Sequence, residues 1–363
     1  MKRLFLVNTP YQLIVSTLLS YQLKRNNETV DDIIITDNFV NSATIIEKVI
    51  KTGYYNKVFY ATINEYLFSK NVFCKIYKIL TYFFPKLSFW RKISNTFDFK
   101  YDEIYYNNDD LFFYNLISIC TKSNSSLKVY RFEEGYSSYL NEFCSLFAQY
   151  ICGIRDKIKM QNTFVNVFKG VYLYEPILVM YKSNVPFLKL SREINNDIKN
   201  IITSFFDLGN QYSCISEKWI IFEESFYQDK GYNKDIVLYK KIIDFLGKEN
   251  VVVKMHPRTK IDRFTPMGIR TLENDGVPWE VVLLSGNIQN KIFVSMASGS
   301  IINAKLLLGD STDSWLLYKC TEEMIVSMNH DFEDFINKLN GKGVLINLKI
   351  PSSYKDLEQL LLK

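Results

Sequence analysis

Apolar residues recur with two different periods along this chain, and the two kinds of segment alternate. Short apolar runs predict buried strands, and longer segments with apolar residues three or four positions apart predict amphipathic helices. The predicted strands cover residues 3–8, 31–36, 57–62, 102–108, 127–135, 218–225, 250–258, 290–298 and 343–349. The predicted helices cover residues 42–53, 110–122, 137–153, 234–247, 278–286, 322–341 and 353–363. A further helix is expected after the first strand, with Thr9 as its cap and Pro10 in its first turn.

This alternation favours parallel sheets with helices on both faces, and it lapses in the middle of the chain. At 363 residues the chain exceeds the usual size of one hydrophobic core. We therefore expect an N-terminal domain over residues 1–155, a connecting region over 156–215 and a C-terminal domain over 216–363. Both domains are predicted to be Rossmann-like, doubly wound α/β folds that face a cleft. Ligands of such sheets bind beyond the carboxyl ends of the strands, so functional residues are expected in the loops that follow strands.

Composition excludes several classes of protein. Apolar residues make up 47% of the chain, and the net charge of +5 is too small and dispersed to indicate nucleic acid as a partner. The six cysteines include no CxxC pair, so neither a zinc site nor a disulfide framework is predicted. Asn8, Thr9 and Pro10 interrupt the first apolar run, and no apolar stretch is long enough to span a membrane. These features predict a cytoplasmic protein.

The first candidate loop is acidic. Glu133 and Glu134 end a predicted strand, and Gly135 permits a sharp turn. Ser137 or Ser138 can cap the next helix. Adjacent side chains of a strand face opposite ways, so one carboxylate is expected to enter the cleft, where it can act as a general base. An acidic turn with a capping serine is the alternative.

The second candidate loop contains one of only two histidines. His256 ends the apolar run 251–253, and Pro257 prevents the strand from continuing. Arg258 and Lys254 add positive charge. Histidine and arginine here can hydrogen-bond a phosphate oxygen and stabilise the charge that develops as a leaving group departs. The alternative is a structural histidine.

The third candidate loop is rich in serine. Ser295, Ser298, Gly299 and Ser300 follow an apolar strand and precede a helical pattern. Small hydroxyl residues and a glycine at a helix N-terminus can donate several hydrogen bonds to a phosphate, although an ordinary serine-capped helix has the same sequence. With the acidic loop in the first half, the two phosphate-binding candidates predict a nucleotide-sugar transferase. The sequence has no Asp-x-Asp pair, no GxxxxGK[ST] loop and no GxGxxG fingerprint, which disfavours metal-bridged diphosphate binding, NTPases and dehydrogenases.

The segments FEEG at 132–135, HPR at 256–258 and SMASGS at 295–300 together resemble the motifs of bacterial sialyltransferases. The resemblance is greatest to glycosyltransferase family 52, which contains the lipooligosaccharide sialyltransferases, and the opening LFLVNTPYQLIVSTLL is similar to that family's first strand and helix. It implies a GT-B fold, CMP-sialic acid as donor, inversion at the anomeric carbon and no metal cofactor. The implied acceptor is a galactoside of a bacterial lipooligosaccharide or capsule.

The same resemblance implies roles for individual residues. His256 is placed at the donor phosphate, in a predicted donor-binding set that comprises His256, Arg258, Ser295, Ser298, Gly299 and Ser300. The base is Glu133 or Glu134 by comparison with some bacterial sialyltransferases. By comparison with family 52 it is an aspartate after the first strand of the second half, where Asp229 is the nearest aspartate and Glu224 competes with it.

Two alternatives to CMP-sialic acid transfer stay open at this point. Family 52 also contains transferases of other sugars, so UDP-glucose or another nucleotide sugar is a rival donor. A non-catalytic nucleotide-binding assembly protein on the same fold is a rival of another class. The acidic loop favours catalysis, because binding alone does not need a carboxylate there.

A basic aromatic segment separates the third and fourth predicted strands. Between Glu65 and Asp98 there is no acidic residue, and six lysines or arginines stand among ten aromatic residues. This composition suits the interface of an anionic membrane, where a lipid-linked acceptor would be found. We therefore expect peripheral contact with the inner face of the bacterial inner membrane. A packed helix pair, broken at Pro85, or a homodimer contact is the alternative.

Overall fold

The chain folds into two compact units, Met1–Phe206 and Asp207–Lys363. The structure is a computed structural model that describes residues 1–25, 28–38, 41–63, 80, 84, 97–107, 111–140, 164–227, 231, 233–273, 275–286, 288, 290–309, 312–321, 330–342 and 347–362.

The first unit contains a seven-stranded parallel sheet in the order β3-β2-β1-β4-β5-β6-β7. Its strands are β1 (Lys2–Val7), β2 (Val30–Thr36), β3 (Lys57–Ala61), β4 (Glu103–Tyr106), β5 (Lys128–Phe132), β6 (Phe168–Leu173) and β7 (Phe187–Lys189). Its described helices are α1 (Pro10–Lys24), α2 (Ser42–Thr52), α3 (Leu111–Ser123), α4 (Ser137–Leu140), α5 (Phe164–Val167) and α6 (Asn196–Ser204). The chain builds outwards from β1 in one direction and from β4 in the other, so the topological switch point lies between these two strands.

The second unit repeats this plan with six parallel strands in the order β10-β9-β8-β11-β12-β13. Its strands are β8 (Trp219–Phe222), β9 (Val251–Lys254), β10 (Arg270–Leu272), β11 (Ile292–Ser295), β12 (Asp313–Leu316) and β13 (Leu348–Lys349). Its described helices are α7 (Lys234–Leu246), α8 (Trp279–Ser285), α9 (Gly299–Leu308), α10 (His330–Gly341) and α11 (Tyr354–Leu361). The switch point of this sheet lies between β8 and β11.

Alternation along the strands gives each sheet two buried faces. In β1, Leu4 and Leu6 join Phe112 of α3 in one cluster, while Phe5 stacks on Tyr105 on the opposite face. The buried Arg3 carries its charge into the sheet only because Asp31 of β2 accepts two of its hydrogen bonds, at 2.7 and 2.8 Å.

Local signals place the helix ends as expected. The hydroxyl of Thr9 accepts the N–H of Gln12 at 3.2 Å, and Pro10 occupies the first turn of α1. In the second unit, α7 stops at Gly247, whose φ of +83° lies in a region that favours glycine. No helix in the described part of the chain combines the length and apolarity needed to cross a bilayer.

The structure places the domain boundary elsewhere than the sequence did. Within the predicted connecting region 156–215, β6 and β7 extend the first sheet, and α6 packs against α1 and α2. The first unit therefore continues to Phe206. The sequence pattern missed β7 because this strand has only three residues, and it missed β6 because Lys169 and Gly170 interrupt the apolar run. Gly170 is needed there, since a Cβ would lie 3.0 Å from a methyl group of Leu188. The sequence pattern also missed the short strands β10 and β12.

Candidate functional site

Three of the second unit's loops leave adjacent strands at the same edge of the sheet. Phe222 pairs with Lys254 of β9 on one side and with Ser295 of β11 on the other, so all three strands end level. The loops that follow are the histidine loop after β9, the Glu223–Glu224 pair after β8 and the serine loop after β11. Because β8 and β11 flank the switch point, this edge is where a doubly wound sheet binds its ligand.

The backbone fixes which nitrogen of His256 can donate. Its Nδ1 accepts the N–H of Arg258 at 3.1 Å, so the proton of the neutral ring is carried by Nε2. The side chain is half-buried. His256 therefore carries its N–H at Nε2, on a loop at the carboxyl edge of the sheet. Its predicted contact with the donor phosphate stays a prediction.

Arg258 is exposed, and its guanidinium donates to the hydroxyl of Ser225 at 2.8 Å. This contact ties the histidine loop to the loop after β8. The predicted pairing of Arg258 with phosphate stays a prediction, since the contact seen is with a hydroxyl group.

The serine loop is shaped by its own hydroxyl groups. Ser295 is fully buried, and its hydroxyl accepts the N–H of Ser298 at 2.9 Å. Ser298 caps α9 and accepts the N–H of Ser300 at 3.2 Å. A serine hydroxyl that accepts one bond still has a proton to donate, so half-buried Ser298 and Ser300 can contact a ligand while Ser295 supports the turn. Gly299 begins the helix, whose N-terminus favours an anion.

A buried ion network lies behind the histidine loop. Glu223 accepts from the hydroxyl of Thr259 at 2.7 Å and from the guanidinium of Arg263 at 2.9 Å. Arg263 also pairs with Asp235 of α7 at 2.7 Å. These two carboxylates raise the pKa of Arg263, although burial alone would lower it. Glu223, Asp235 and Arg263 were not predicted as site residues from the sequence, because no motif or periodicity marks them.

Glu224, which the sequence analysis named as a rival base, is buried behind the serine loop. One carboxylate oxygen accepts the N–H of Ala297 at 2.9 Å, and the other accepts the hydroxyl of Tyr239 at 2.7 Å. The same hydroxyl accepts the N–H of Met296 at 3.0 Å. Burial raises the pKa of Glu224 to about 7, and the hydrogen bonds from Ala297 and Tyr239 act in the opposite direction.

Another buried carboxylate lies in the first turn of α8, after β10. Burial raises the pKa of Glu280 to about 7, and the nearby ammonium of Lys254 opposes that shift. Burial lowers the pKa of Lys254, while Asp275 and Glu280 act to raise it. Glu280 was not predicted from the sequence, because it lies in an apolar helical pattern with no motif around it.

In the first unit the two carboxylates of the acidic loop differ in burial. Glu133 is fully buried, and it accepts hydrogen bonds from the hydroxyl of Tyr139, from the N–H of Tyr174 at 2.8 Å and from the hydroxyl of Tyr11 at 3.4 Å. Burial raises its pKa to about 7. Glu134 is half-buried instead.

The turn that separates them is well defined. Gly135 adopts a φ of +89°, and the N–H of Glu134 donates to the hydroxyl of Ser138 at 2.8 Å. Glu133 is thus held inside the domain by three donors, whereas Glu134 is the more exposed carboxylate of this loop.

Two earlier predictions fall on parts of the chain that the structure does not describe. Asp229 lies outside the described residues, as does the basic aromatic segment between Glu65 and Asp98 apart from Leu80, Phe84 and Phe97. Within the described residues, no three His, Cys, Asp or Glu side chains come together as a metal-binding group.

A family model described as alpha-2,8-polysialyltransferase matches residues 3–315, which extends through the first unit and into β12 of the second. The chain belongs to the alpha-2,8-polysialyltransferase family. It is therefore a sialyltransferase-like glycosyltransferase, and the match agrees with the sialyltransferase resemblance of its motifs. No curated protein matches the sequence significantly.

Solved structures match the fold at low sequence identity. The GT-B domain of a sialyltransferase from Photobacterium damselae matches with a TM-score of 0.50 and 10% identity, covering 96% of this chain and 100% of that chain. A UDP-GlcNAc 2-epimerase from Neisseria meningitidis, bound to UDP-GlcNAc, matches with a TM-score of 0.50 and 12% identity, covering 94% and 91%. With its two Rossmann-like units, this family member has the GT-B fold that the sequence predicted.

Proposed function

We propose that this family member is an inverting, metal-independent sialyltransferase that moves sialic acid from CMP-sialic acid to a bacterial surface glycan such as lipooligosaccharide or capsule. The carboxyl edge of the second sheet carries the proposal. There His256 offers an Nε2–H donor, and the serine loop offers hydroxyl groups at the N-terminus of α9. Both are suited to one phosphate group, which is the leaving group that CMP-sialic acid presents.

In the proposed reaction, an acceptor hydroxyl attacks the anomeric carbon of sialic acid. The bond from that carbon to the phosphate oxygen breaks, and its electron pair leaves with CMP. His256 donates a hydrogen bond to the phosphate oxygen on which charge accumulates, and Ser298 and Ser300 donate to its neighbours. These bonds strengthen as the charge develops, so they stabilise the transition state more than the bound donor.

The proton of the acceptor hydroxyl goes to a carboxylate. Of the two in the acidic loop we assign this role to Glu134, because both oxygens of Glu133 already accept hydrogen bonds inside the domain. Asp229 is the alternative base. Glu224 is a weaker candidate, since its oxygens accept from Tyr239 and Ala297.

The donor is tested by ligand-dependent stability. A ligand that binds the folded state raises the melting temperature with its concentration. We expect CMP to stabilise the protein, and UDP and GDP not to. Stabilisation by UDP alone would favour UDP-glucose or another uridine donor, and slow hydrolysis of a single nucleotide sugar would identify that donor directly.

The acceptor is tested with a matched pair. The family 52 resemblance favours a terminal galactoside, whereas the family name favours transfer to the 8-hydroxyl of a terminal sialic acid. Lactosides with and without a terminal sialic acid, each incubated with CMP-sialic acid, separate these outcomes. Donor binding with no transfer to any glycan would favour the non-catalytic assembly protein.

A further inference from the structure

The central strand of the second unit ends in two consecutive buried carboxylates that contact different loops. Consecutive side chains of an extended segment point to opposite sides. Glu223 lies against the histidine loop after β9, and Glu224 lies against the serine loop after β11. Since β8 pairs with both β9 and β11, its end is the one place in the sheet from which adjacent residues reach both loops.

Glu223 is anchored to the histidine loop at two residues, His256 and Thr259. The backbone N–H of His256 faces one of its oxygens at 3.4 Å, and the hydroxyl of Thr259 donates to the same oxygen at 2.7 Å. Arg263, four residues beyond Thr259, donates to the other oxygen at 2.9 Å. A neutral amide at position 223 would present N–H groups to one of these donors, so a carboxylate is needed to accept from all of them.

Glu224 is anchored to the serine loop in a comparable way. It accepts the N–H of Ala297 directly, and it orients the Tyr239 hydroxyl that accepts the N–H of Met296. Two consecutive backbone donors of the loop are therefore fixed immediately before Ser298, the cap of α9.

We propose that Glu223 and Glu224 are positioning residues, Glu223 for the imidazole of His256 and Glu224 for the turn that carries Ser298. The inference rests on the proposed function, in which both loops hold the donor phosphate. Neither carboxylate touches the reacting atoms in the proposed reaction. Each acts through the group that it orients.

A double-mutant cycle tests the first half of the proposal. Glu223→Gln should lower kcat by roughly 10- to 100-fold through misplacement of His256, with a much smaller change in KM for the donor. In a His256→Ala background the same substitution should have little further effect, because residues that act as one unit are not additive. If the fold-losses in kcat of the two single variants multiply in the double variant, Glu223 does not act through His256, and its proposed role would be overturned.

A matched control comes from Glu217, a buried carboxylate just before β8 that pairs with Arg270 at 2.9 Å. It lies at the opposite end of the strand from the site. Glu217→Gln should leave kcat unchanged even if it lowers stability. A fall in kcat equal to that of Glu223→Gln would assign both effects to general loss of packing.

Nuclear magnetic resonance separates this proposal from the proposed function, because it needs neither donor nor turnover. The chain has only two histidines, so ¹⁵N-histidine spectra contain two imidazoles. His256 should show the Nε2–H tautomer. Glu223→Gln, and to a smaller extent Thr259→Val, should shift its signals from their positions in the parent protein. Unchanged His256 signals in Glu223→Gln would overturn the proposal, whether or not the protein transfers sialic acid.

The second half has its own readout. Glu224→Gln and Tyr239→Phe should each speed amide hydrogen exchange at residues 296–298 and weaken CMP binding, with the His256 signals unchanged. Tyr239→Phe keeps the ring and removes only the hydroxyl, so it serves if Glu224→Gln fails to fold. Unaltered exchange in both variants would overturn the role of Glu224. Faster exchange in a protein that binds no CMP would support the positioning role and contradict the proposed function.

Discussion

The backbone N–H of Arg258 donates to Nδ1 of His256 at 3.1 Å, and this bond determines how the histidine can act. With Nδ1 occupied as an acceptor, the neutral ring presents Nε2–H to its surroundings. Pro257 between them turns the chain so that the N–H of residue 258 reaches back to the imidazole. The local backbone of the His-Pro-Arg sequence thus determines that the neutral imidazole is the Nε2–H tautomer.

The first prediction concerns the donor atom of His256. His256→Ala should lower turnover by about 10²-fold or more, the usual effect of losing one donor to a developing anion. His256→Gln places an amide N–H near the position of Nε2, whereas His256→Asn places it near Nδ1. Steady-state kinetics should therefore show Gln retaining more activity than Asn, and CMP affinity should fall much less than kcat. Equal activity of the two variants would contradict the tautomer assignment.

The second prediction separates the two carboxylates of the acidic loop. Glu134→Gln should lower kcat by roughly 10²–10⁴-fold at saturating donor, as expected for a general base. Glu133→Gln should instead lower the free energy of unfolding by about 1–3 kcal/mol, because a buried donor loses its acceptor. Urea unfolding and transfer assays on both variants make the comparison, with Asp229→Asn alongside. Loss of transfer in Asp229→Asn alone would move the base to the second unit.

The third prediction is a pH dependence of stability. Burial holds the pKa of Glu280 at about 7, so the folded protein binds this proton more tightly than the unfolded chain. The free energy of unfolding should therefore fall as the pH rises from about 4.5 to 7, at a cost of about 1.4 kcal/mol for each unit of pKa shift. Glu133 and Glu224 should contribute in the same direction.

Glu280→Gln removes one of the titrating carboxyl groups, so the free energy of unfolding should depend less on pH in the variant. Urea unfolding at pH 5 to 8 measures the free energy of unfolding of both proteins. Tryptophan fluorescence reports the transition, and the second unit contributes Trp219, Trp279 and Trp315 to the signal. The free energy of unfolding of the variant should increase relative to that of the parent protein as the pH rises. Parallel curves for the two proteins would show that Glu280 does not titrate in this range.

The fourth prediction is that transfer needs no metal ion. The sequence has no Asp-x-Asp pair, and in the proposed mechanism hydrogen bonds from His256 and the start of α9 stabilise the leaving phosphate. Activity should be the same after dialysis against EDTA and after re-addition of Mg²⁺ or Mn²⁺. A loss that either ion restores would contradict this mechanism.

The fifth prediction concerns the basic aromatic segment. Each lysine near an anionic surface contributes about 1 kcal/mol of attraction. Charge reversal at Lys75, Lys78 and Lys86 should therefore reduce co-sedimentation with anionic liposomes, and high salt should do the same to the parent protein.

The control for this experiment reverses three exposed lysines of the first unit outside the segment, Lys51, Lys57 and Lys100. It should leave sedimentation unchanged. If the two triple variants behave alike, the segment has no special role at the membrane, and a packed helix pair or a dimer contact becomes the better interpretation.

Sequence patterning predicted the strands that have strong apolar runs, together with the loops that follow them. The segments around β1, β8, β9 and β11 all read correctly, and so did the cap at Thr9 and the stop at Gly247. It could not find β7 or β10, because three-residue strands at or near a sheet edge leave no periodicity. The fold could be predicted because its buried strands produce the strongest apolar runs in the sequence.

The contacts of the site were less predictable. Glu133 and Glu134 are indistinguishable in sequence, and only the tyrosines around Glu133 separate them. Arg263 lies 40 residues from Glu223, so their pairing depends on tertiary structure that no local pattern encodes. Buried polar networks of this kind depend on tertiary packing. Sequence motifs therefore predict where a site lies but not which role each of its residues has.

The consecutive placement of Glu223 and Glu224 also limits how the sequence of this strand can change. Removing or inserting one residue within β8 would move the pair by one position, so that one of the two loops would lose its carboxylate. A deletion would place Ser225 against the serine loop, and an insertion would place Phe222 against the histidine loop. Length changes should therefore be tolerated after Ser225 and excluded between Trp219 and Glu224. Homologues of this chain should differ in the length of the loop that follows the strand while keeping the strand itself free of gaps.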